Sequence, residues 1–414
     1  MKTREVKLGE VANVKGGKRI PKGIGLINIP NGHPYIRVRD LNNKRLLELD
    51  NSYEYVDNET QKVISKYTVK TGDVVLSIVG TIGLVAIVGR TLDGANLTEN
   101  CVKLSSFHGV NRDFLYYYLR SDCGQQEIRC GTVGAVQAKL PIKNIQNIAI
   151  NLPDYTTQER IASLLLSIDR KIELNQKIND NLEQQAKLIY DYWFTQFDFP
   201  DENGKPYCSS GGKMVWDEQL KRNIPENWNV VPLLKLVSWE SNSQPPKSEF
   251  VYEPKEGYVR FIQNRDYDSD THITYIPRTK NLSIVDRFDI LMDKYGDAGA
   301  VRYGIEGAFN VALGKICVHN PNYREYIRSF LGSDGIYKFL HNSCMASTRA
   351  SLSEANLAIL NVVVPDEKII LDYENFLQKI RVSILKNKDE TVELINLRDW
   401  LLPMLMNGQA TIAD

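Results

Sequence analysis

The segment LPIKNIQNIAINLP occupies residues 140–153, and LSEANLAILNVVVP occupies residues 352–365, 212 positions further along the chain. The two segments have the same length, a similar pattern of apolar positions and a closing proline. Solenoid repeats are only about 20–50 residues long, so this separation indicates the duplication of a whole domain. The sequence therefore predicts two copies of one structural plan.

Three further pairs of segments support the duplication. The members of each pair share an alternating strand with a polar turn, a glycine-punctuated stretch, or aromatic residues at helical spacing. The pairs are YIRVRDLN (35–42) with YVRFIQNRDYD (258–268), GDVVLSIVGTIG (72–83) with FDILMDKYGDAG (288–299), and NRDFLYYYLRSD (111–122) with NYREYIRSFLGSD (322–334). We expect an α+β fold in which a mixed α/β domain of about 150 residues and a long helix occur twice.

The two long helices give the clearest local pattern. Thr156 and Glu159 match the pattern of a capping box, and apolar residues then recur at alternating steps of three and four, as in a coiled-coil seam. The predicted seam residues are Ile161, Leu165, Ile168, Ile172, Asn175, Leu182, Ile189 and Trp193 in the first copy, and Leu377, Ile380, Ile384, Asn387, Leu394, Leu401 and Leu405 in the second. We expect the two helices to pack together; helices that only cap their own domains are the alternative. Asn175 and Asn387 either set the register or fill wet gaps.

The bulk composition restricts the class of protein. The 414 residues include 51 basic and 51 acidic residues, so the overall charge does not indicate a nucleic-acid binder. The six cysteines form no C-x-x-C pair and no signal peptide is visible, which predicts a cytoplasmic protein with reduced thiols. The uncharged stretch 74–89 is shorter than the roughly 20 residues of a membrane span, and Gly80 and Gly83 divide it into two strands, so we expect no membrane segment.

The sequence contains none of the common catalytic motifs. GGKM (211–214) lacks the hydroxyl residue of a phosphate-binding loop, and the Asn/Asp-Pro-Pro-aromatic loop of an amino-methyltransferase does not occur. The five histidines show no i, i+4 spacing, so solvated or core histidines are expected rather than a metal ligand or a general base. We therefore expect a non-catalytic binding protein with no metal site and no cofactor in this chain.

A basic segment, residues 15–45, is the first candidate binding surface. It combines eight basic residues with a single acid, Asp40. Glycines let the backbone approach a ligand, and Arg and Asn can contact base edges, so the segment favours nucleic acid over a solvated charged loop. The candidate DNA-binding residues here are Lys15, Lys18, Arg19, Lys22, Arg37, Arg39, Asn42, Asn43 and Lys44.

The second copy is less basic in the matching region. Residues 241–285 hold six basic and six acidic residues. The candidate DNA-binding residues of this copy are Gln263, Asn264, Arg265, Lys294, Tyr295 and Arg349. Two copies with one plan but different loops suit two recognition modules with different targets, and most of these side chains are expected to contact phosphate.

The chain resembles the specificity subunits of type I restriction–modification systems over nearly its whole length. The resemblance rests on the two-fold plan, on GDVVLSIVGTIG, on GTVGAVQAKLPIKNIQNIAINLP (131–153) and on QERIASLLLSIDRKIELNQ (158–176). The second copy has Ile370 and Leu371 where the first has Gln158 and Glu159, which weakens the motif there and leaves the helix prediction intact.

The resemblance implies two target-recognition domains that are separated by an antiparallel helix pair and related by a pseudo-two-fold axis. It also implies recognition of a bipartite, asymmetric site in double-stranded DNA and docking of two methyltransferase subunits, which motor–nuclease subunits join. S-adenosylmethionine, ATP and Mg²⁺ are then expected on these partners. The alternatives are a protein-interaction scaffold with duplicated domains and a stand-alone nucleic-acid enzyme with an unfamiliar active site.

These patterns divide the chain into six predicted segments. The stretch FDFPDENGKPYCSSGG (197–212) is rich in Gly, Pro and Ser, which predicts a linker between the copies. The segments are a first target-recognition domain (1–154), a first spacer helix (155–199), a linker (200–226), a second target-recognition domain (227–365), a second spacer helix (366–407) and a tail (408–414).

Overall fold

A computed structural model of the chain describes residues 3–42, 44–134, 136–268, 272–345 and 351–412. The chain divides into a first unit, Met1–Leu174 with Glu390–Asp414, and a second unit, Asn175–Asp389. Each unit contains one α/β domain and a segment of each of the two long helices.

The α/β domain of the first unit is built from short strands and five short helices. The strands are β1 (Thr3–Lys7), β2 (Asn13–Gly16), β3 (Pro34–Ile36), β4 (Leu46–Leu47), β5 (Glu54–Tyr55), β6 (Val74–Ser77), β7 (Val85–Val88), β8 (Asn96–Leu97), β9 (Cys101–Ser105) and β10 (Ala149–Pro153). The helices are α1 (Leu8–Val11), α2 (Asn58–Ile64), α3 (Arg112–Arg120), α4 (Asp122–Gly131) and α5 (Ile142–Gln146), and the first long helix, α6 (Tyr155–Tyr190), follows.

The second unit repeats this plan after a short hairpin. Its strands are β11 (Met214–Asp217), β12 (Arg222–Pro225), β13 (Asn229–Pro232), β14 (Val237–Glu240), β15 (Tyr258–Ile262), β16 (Tyr275–Pro277), β17 (Ile284–Val285), β18 (Ile290–Asp293), β19 (Val301–Arg302), β20 (Gly307–Phe309), β21 (Leu313–Val318) and β22 (Asn361–Val364). Its helices are α7 (Arg324–Leu331), α8 (Asp334–Met345), α9 (Glu354–Ala358) and the second long helix, α10 (Glu367–Met406).

The two domains share their sheet topology. In the first, β2-β9-β6-β7-β4 form one sheet and β5-β3-β8 another; in the second, the sheets are β14-β21-β18-β19 and β16-β15-β20-β17. Strand β3 pairs antiparallel with β5 and parallel with β8, and β15 pairs in the same way with β16 and β20. The predicted duplication of one mixed α/β plan is therefore confirmed.

The uncharged stretch 74–89 forms two fully buried antiparallel strands, β6 and β7. Gly80 and Gly83 lie in the turn between them with φ angles of 80° and 92°. Gly296 and Gly299 adopt φ angles of 73° and 96° after β18. These left-handed conformations favour glycine, which explains why both copies keep the pair.

The repeated segments 140–153 and 352–365 each form a short helix and then a strand. Strand β10 pairs antiparallel with β1, from Thr3 opposite Pro153 to Lys7 opposite Ala149. Strand β22 pairs in the same sense with β13. Each pairing fastens the beginning of an α/β domain to the residues just before its long helix.

In the first unit, the beginning of α6 packs antiparallel to the end of α10. Asp169 contacts Arg398 at 3.0 Å. Lys171, which lies further along α6, contacts Glu390, which lies earlier on α10, at 3.2 Å. Leu165 is fully buried in a cluster that joins α6, the end of α10 and the α/β domain.

In the second unit, the end of α6 packs antiparallel to the beginning of α10. The Asn387 side-chain amide donates to Asn179 Oδ1 at 2.9 Å, and the Trp193 and Tyr373 rings lie 5.7 Å apart. Helix α6 ends in a π-helical turn, Asp191–Thr195. The predicted antiparallel pair of long helices is present.

The structure buries or half-buries every predicted seam residue. Leu165, Leu377 and Ile384 are fully buried, whereas Leu182 and Leu394 are half-buried. Asn175 is buried. Asn387, the seam asparagine of the second copy, hydrogen-bonds to Asn179. The side chains that cover the apolar seam residues come from the opposite long helix and from the α/β domain of each unit.

The segment 200–226, which is predicted to be a linker, contains the β11–β12 hairpin. The hairpin and its flanks are anchored because Phe199 stacks between the rings of Tyr207 and Trp228, with each ring centroid 4.7 Å away. These aromatic contacts could not be predicted from the sequence because the stretch has no regular spacing of apolar residues. The predicted tail, 408–414, is described as far as residue 412.

Replacing Leu165 with Ala tests the packing of α6 in the first unit. Because the side chain is fully buried, its truncation should cost about 2–5 kcal/mol. The thermal unfolding midpoint should therefore fall by several degrees. Leu174→Ala, on the same helix at a side chain that is 51% exposed, is the control and should leave the midpoint nearly unchanged. Equal shifts in the two variants would contradict the assigned packing.

Candidate nucleic-acid interface

The basic segment of the first unit comprises the end of β2, the loop before β3, β3 itself and the turn after it. Lys15, Lys18 and Lys22 are exposed along it. Arg19 is exposed as well, but its Nε donates to Glu99 Oε1 at 2.5 Å, and this contact raises the pKa of Arg19. The partner is 80 positions away in sequence and was not counted in the local charge.

The two arginines after β3 share one acidic partner. Arg37 and Arg39 both form ion pairs with Glu54 on β5, and the Arg39–Glu54 distance is 2.6 Å. Arg37 is half-buried, whereas the Arg39 side chain is 54% exposed. Arg39 therefore remains able to contact a ligand, and Arg37 is partly committed to the fold.

The basic residues at the end of the segment are also paired. Lys44 lies 2.8 Å from Asp50, and its hydrogen bond is the main reason that the pKa of Asp50 falls to about 2. Arg45 pairs with Glu173 on α6 at 2.9 Å and ties the domain to its helix. Asn42 is exposed, and Asn43 lies outside the described residues. Charge counting along the sequence thus overstated the positive surface.

A cavity of about 240 Å³ gathers the remaining positive charge. Lys15, Lys66 and Lys103 line it with Tyr67. Lys103 is committed to Asp73, 3.3 Å away, but Lys15 and Lys66 have no acidic partner in the described part of the chain. Such unpaired ammonium groups suit a phosphate.

Lys18 lies beside this cavity, with its Nζ 5.6 Å from the Tyr67 ring centroid. Tyr35 fixes its backbone by donating from its hydroxyl to the Lys18 carbonyl at 2.8 Å. Lys66 and Tyr67 were missed by the sequence analysis because they follow α2, outside the basic segment. Their local sequence, ISKYTVK (64–70), gave no signal that distinguished them.

Gly17 approaches the chain's own backbone rather than an open ligand surface. A Cβ atom there would lie 2.1 Å from the Thr98 carbonyl oxygen and 2.3 Å from that of Leu97. The expectation that the glycines bring the backbone to a ligand is therefore wrong for Gly17. Its role is to fasten the basic segment to β8 and β9, since its amide also donates to the Cys101 carbonyl at 3.0 Å.

The turn that carries Arg37 and Arg39 is closed by a buried carboxylate. Asp40 Oδ2 accepts from the Arg37 backbone amide at 2.7 Å. Burial raises the pKa of Asp40 to about 6, and the nearby Arg39 opposes the shift without cancelling it.

The second unit builds the same turn with different side chains. The backbone amide of Gln263 donates to Asp266 Oδ2 at 3.0 Å, as the backbone amide of Arg37 does to Asp40. The Gln263 side chain donates to Thr274 Oγ1 at 3.1 Å. Arg265 is exposed in the position of Arg39. The two turns therefore keep the arginine and the aspartate, while Gln263 and Asn264 replace Arg37 and Val38.

Asn264 hydrogen-bonds to Asp293 at the end of β18, and Lys294 is the next residue along the chain. Burial raises the pKa of Asp293, and hydrogen bonds from Arg302 and Asn264 oppose the shift. Lys294 follows directly, with its Nζ 3.5 Å from Ser241 Oγ. Tyr295 is exposed, and Arg349 lies outside the described residues.

In the part of the chain that the structure describes, no three His, Cys, Asp or Glu side chains are grouped so as to hold a metal ion. Likewise, none of the helices in the described ranges is both long and apolar enough to span a bilayer.

These features define a class of proteins with two copies of an α/β domain, each joined to a long helix and each with its own polar surface. The model of the family described as the type I restriction modification DNA specificity domain matches residues 2–184 and 225–399. The chain belongs to this family. The resemblance inferred from the sequence is therefore confirmed.

Similar proteins occur in several organisms. The chain is 22% identical over 398 residues to the type I restriction enzyme MjaIX specificity subunit of Methanocaldococcus jannaschii, covering 92% of this chain and 87% of the relative. It is 22% identical over 346 residues to the HindI specificity subunit of Haemophilus influenzae, covering 68% and 72% respectively. The crystal structure of a type I restriction–modification S subunit from M. genitalium has the same fold, with a TM-score of 0.60, 16% identity and coverage of 97% and 96%.

Replacing Asp40 with Asn tests the buried carboxylate of the turn. The folded pKa of about 6 exceeds the usual value of 3.8, so the stability that Asp40 contributes is complete below about pH 4 and is lost as the pH rises through about 6. The midpoint difference between Asp40→Asn and wild type should therefore move in favour of the variant over this range. Thermal unfolding from pH 4 to pH 7 measures it.

Asp50→Asn is the control for this titration. The pKa of Asp50 lies at about 2, so its difference profile should change only below about pH 4, with stability lost as the pH falls. A flat difference profile for Asp40→Asn between pH 4 and pH 7 would show that Asp40 is not buried as described.

Proposed function

We propose that this chain is the DNA-specificity subunit of a type I restriction–modification enzyme. The observation that carries the proposal is the match of the specificity-domain family to both copies, over residues 2–184 and 225–399. Each α/β domain recognises one part of a bipartite site in double-stranded DNA. The chain docks two methyltransferase subunits, and motor–nuclease subunits join through them.

Differences between the two candidate surfaces support an asymmetric site. The first unit presents the lysines around Tyr67 and has Arg37 and Val38 on the turn after β3, whereas the second has Gln263 and Asn264 in the equivalent positions. Arginine pairs well with guanine, and glutamine and asparagine pair with adenine. Unlike side chains on a shared backbone turn therefore suit two different half-sites.

The long helices are proposed to set the gap between the half-sites. Helix α6 has 36 residues and α10 has 40, so they extend about 54 Å and 60 Å at 1.5 Å per residue. One turn of duplex DNA is about 34 Å. Helices of this length suit a spacer of unread base pairs between two recognition sites.

The chemistry is proposed to reside on the partner subunits. S-adenosylmethionine would bind the methyltransferase subunits, and ATP and Mg²⁺ would serve the motor–nuclease subunits, all in the cytoplasm. The scaffold alternative predicts complex assembly without sequence-dependent binding. The stand-alone enzyme alternative predicts methylation or cleavage by the purified chain.

A methylome measurement tests the specificity role. The chain is co-expressed with its methyltransferase subunit in a host without adenine methylation, and modified adenines are mapped. The expected result is an asymmetric, two-part motif with a fixed gap that disappears when this chain is omitted. A stable complex that modifies no defined motif would favour the scaffold.

The lysines around Tyr67 give a sharper test of DNA contact. If Lys15 and Lys66 contact phosphate, replacing either with Ala should weaken binding to duplexes of any sequence and reduce the slope of log affinity against log salt by about one. Binding is measured with the assembled methyltransferase complex. Lys62→Ala is the control because Lys62 is exposed on nearby α2 and pairs with Glu59 at 2.7 Å. Unchanged slopes for Lys15→Ala and Lys66→Ala would remove this cavity from the interface.

A further inference from the structure

Two equivalent positions on the long helices carry opposite charges and are both buried. Asp169 on α6 and Arg381 on α10 are separated by 212 positions, the offset of the repeat, and are 4% and 5% exposed. Apolar seam positions beside them are nearly the same in both copies, with Leu165 matching Leu377 and Ile168 matching Ile380 at the same offset. At this point of the two helices, the difference is therefore one of charge.

Each buried charge has an oppositely charged partner on the other long helix within its own unit. In the first unit, Arg398 of α10 donates to Asp169 Oδ1 at 3.0 Å, and the Tyr117 hydroxyl donates to Oδ2 at 2.6 Å. In the second unit, Arg381 of α10 pairs with Glu183 of α6, and its Nε also donates to the buried Glu325 of α7 at 2.9 Å. Helix α6 thus supplies two acids, and α10 supplies two bases.

The repeat offset shows what self-pairing would place in contact. Glu183 faces Arg381, which is equivalent to Asp169, so two copies of α6 would bring Glu183 against Asp169. Arg398 faces Asp169, which is equivalent to Arg381, so two copies of α10 would bring Arg398 against Arg381. Either self-pair would hold like charges together at both contacts, where burial makes repulsion strong.

We propose that Asp169, Glu183, Arg381 and Arg398 form a pairing code by which α6 and α10 select each other and reject a second copy of themselves. The apolar residues beside these charges cannot make this choice, because Leu165 and Ile168 recur as Leu377 and Ile380. Charged positions beside a seam set partner choice in coiled coils in the same way, by penalising the wrong pair. The partner of each helix is therefore the other half of the same chain, and this inference does not depend on DNA recognition.

A cleavable chain tests partner choice directly. A protease site at the exposed Asn203–Gly204 turn is cut after the full-length protein has folded, and the pieces are released with urea, refolded together and weighed by native mass spectrometry. Wild-type pieces should return as mixed pairs. In Asp169→Asn with Glu183→Gln, the amides remove the repulsion, so the ratio of N-terminal self-pairs to mixed pairs should rise at least about tenfold.

Lys171→Gln with Glu390→Gln is the matched control. These side chains form an exposed α6–α10 contact, 46% and 42% exposed, and lie outside the code. Their neutralisation should leave the ratio unchanged. An unchanged ratio in the Asp169 and Glu183 variant, or an equal rise in the control, would overturn the proposal.

The uncut chain provides a second test that needs no reassembly. Asp169→Arg and Arg398→Asp should each lower the thermal unfolding midpoint by roughly 10 °C, because each places like charges in the buried contact. The double exchange restores opposite charges, and the Tyr117 hydroxyl can accept from the new arginine, so most of the loss should be recovered. A double variant as unstable as the sum of the single variants would overturn the pairing role.

Discussion

Burial of the apolar stripes on the two long helices is the constraint on which both units depend. Each leucine or isoleucine that becomes fully buried contributes roughly 1.5–3 kcal/mol, and Leu165, Leu377 and Ile384 are all fully buried. In each unit the α/β domain covers part of the stripe and the opposite helix covers another part. The domain and the helix pair therefore share one core in each unit, which couples the position of a recognition surface to the pairing of the helices.

Much of this architecture could be predicted from the sequence because its signals are local or repeated. The steps of three and four in α6 and α10 require only neighbouring residues, and the duplicated segments each predict the same elements independently. The uncharged stretch 74–89 was resolved by its glycines and by the charged counterpart, which includes Asp293 and Lys294. The β11–β12 hairpin was missed since it is held by aromatic contacts, such as Phe199 with Trp228, that have no periodic signature.

The candidate interface was less predictable because charge pairing is a long-range property. Arg19 finds Glu99 and Arg45 finds Glu173, which are 80 and 128 positions away. Only a fold can show which basic residues are neutralised. The same reasoning explains why Lys66 went unnoticed: the chain brings it to Lys15 from a separate segment. A basic stretch in the sequence thus indicated the region of the proposed contact surface but did not show which of its charges are unpaired.

The two copies retain the residues that fix the backbone conformation of the turns. They differ in side chains that face outward or pair with the opposite helix. Asp40 and Asp266 close the same turn through the same backbone contact, while Arg37 is replaced by Gln263. Asp169 and Arg381 similarly occupy one position with opposite charge. A duplicated domain can diverge in this way because a buried cap preserves the turn whatever side chain precedes it, and a charge can reverse when its partner on the other helix has the opposite sign. Internal asymmetry can thus arise by substituting polar residues while the neighbouring apolar residues are kept.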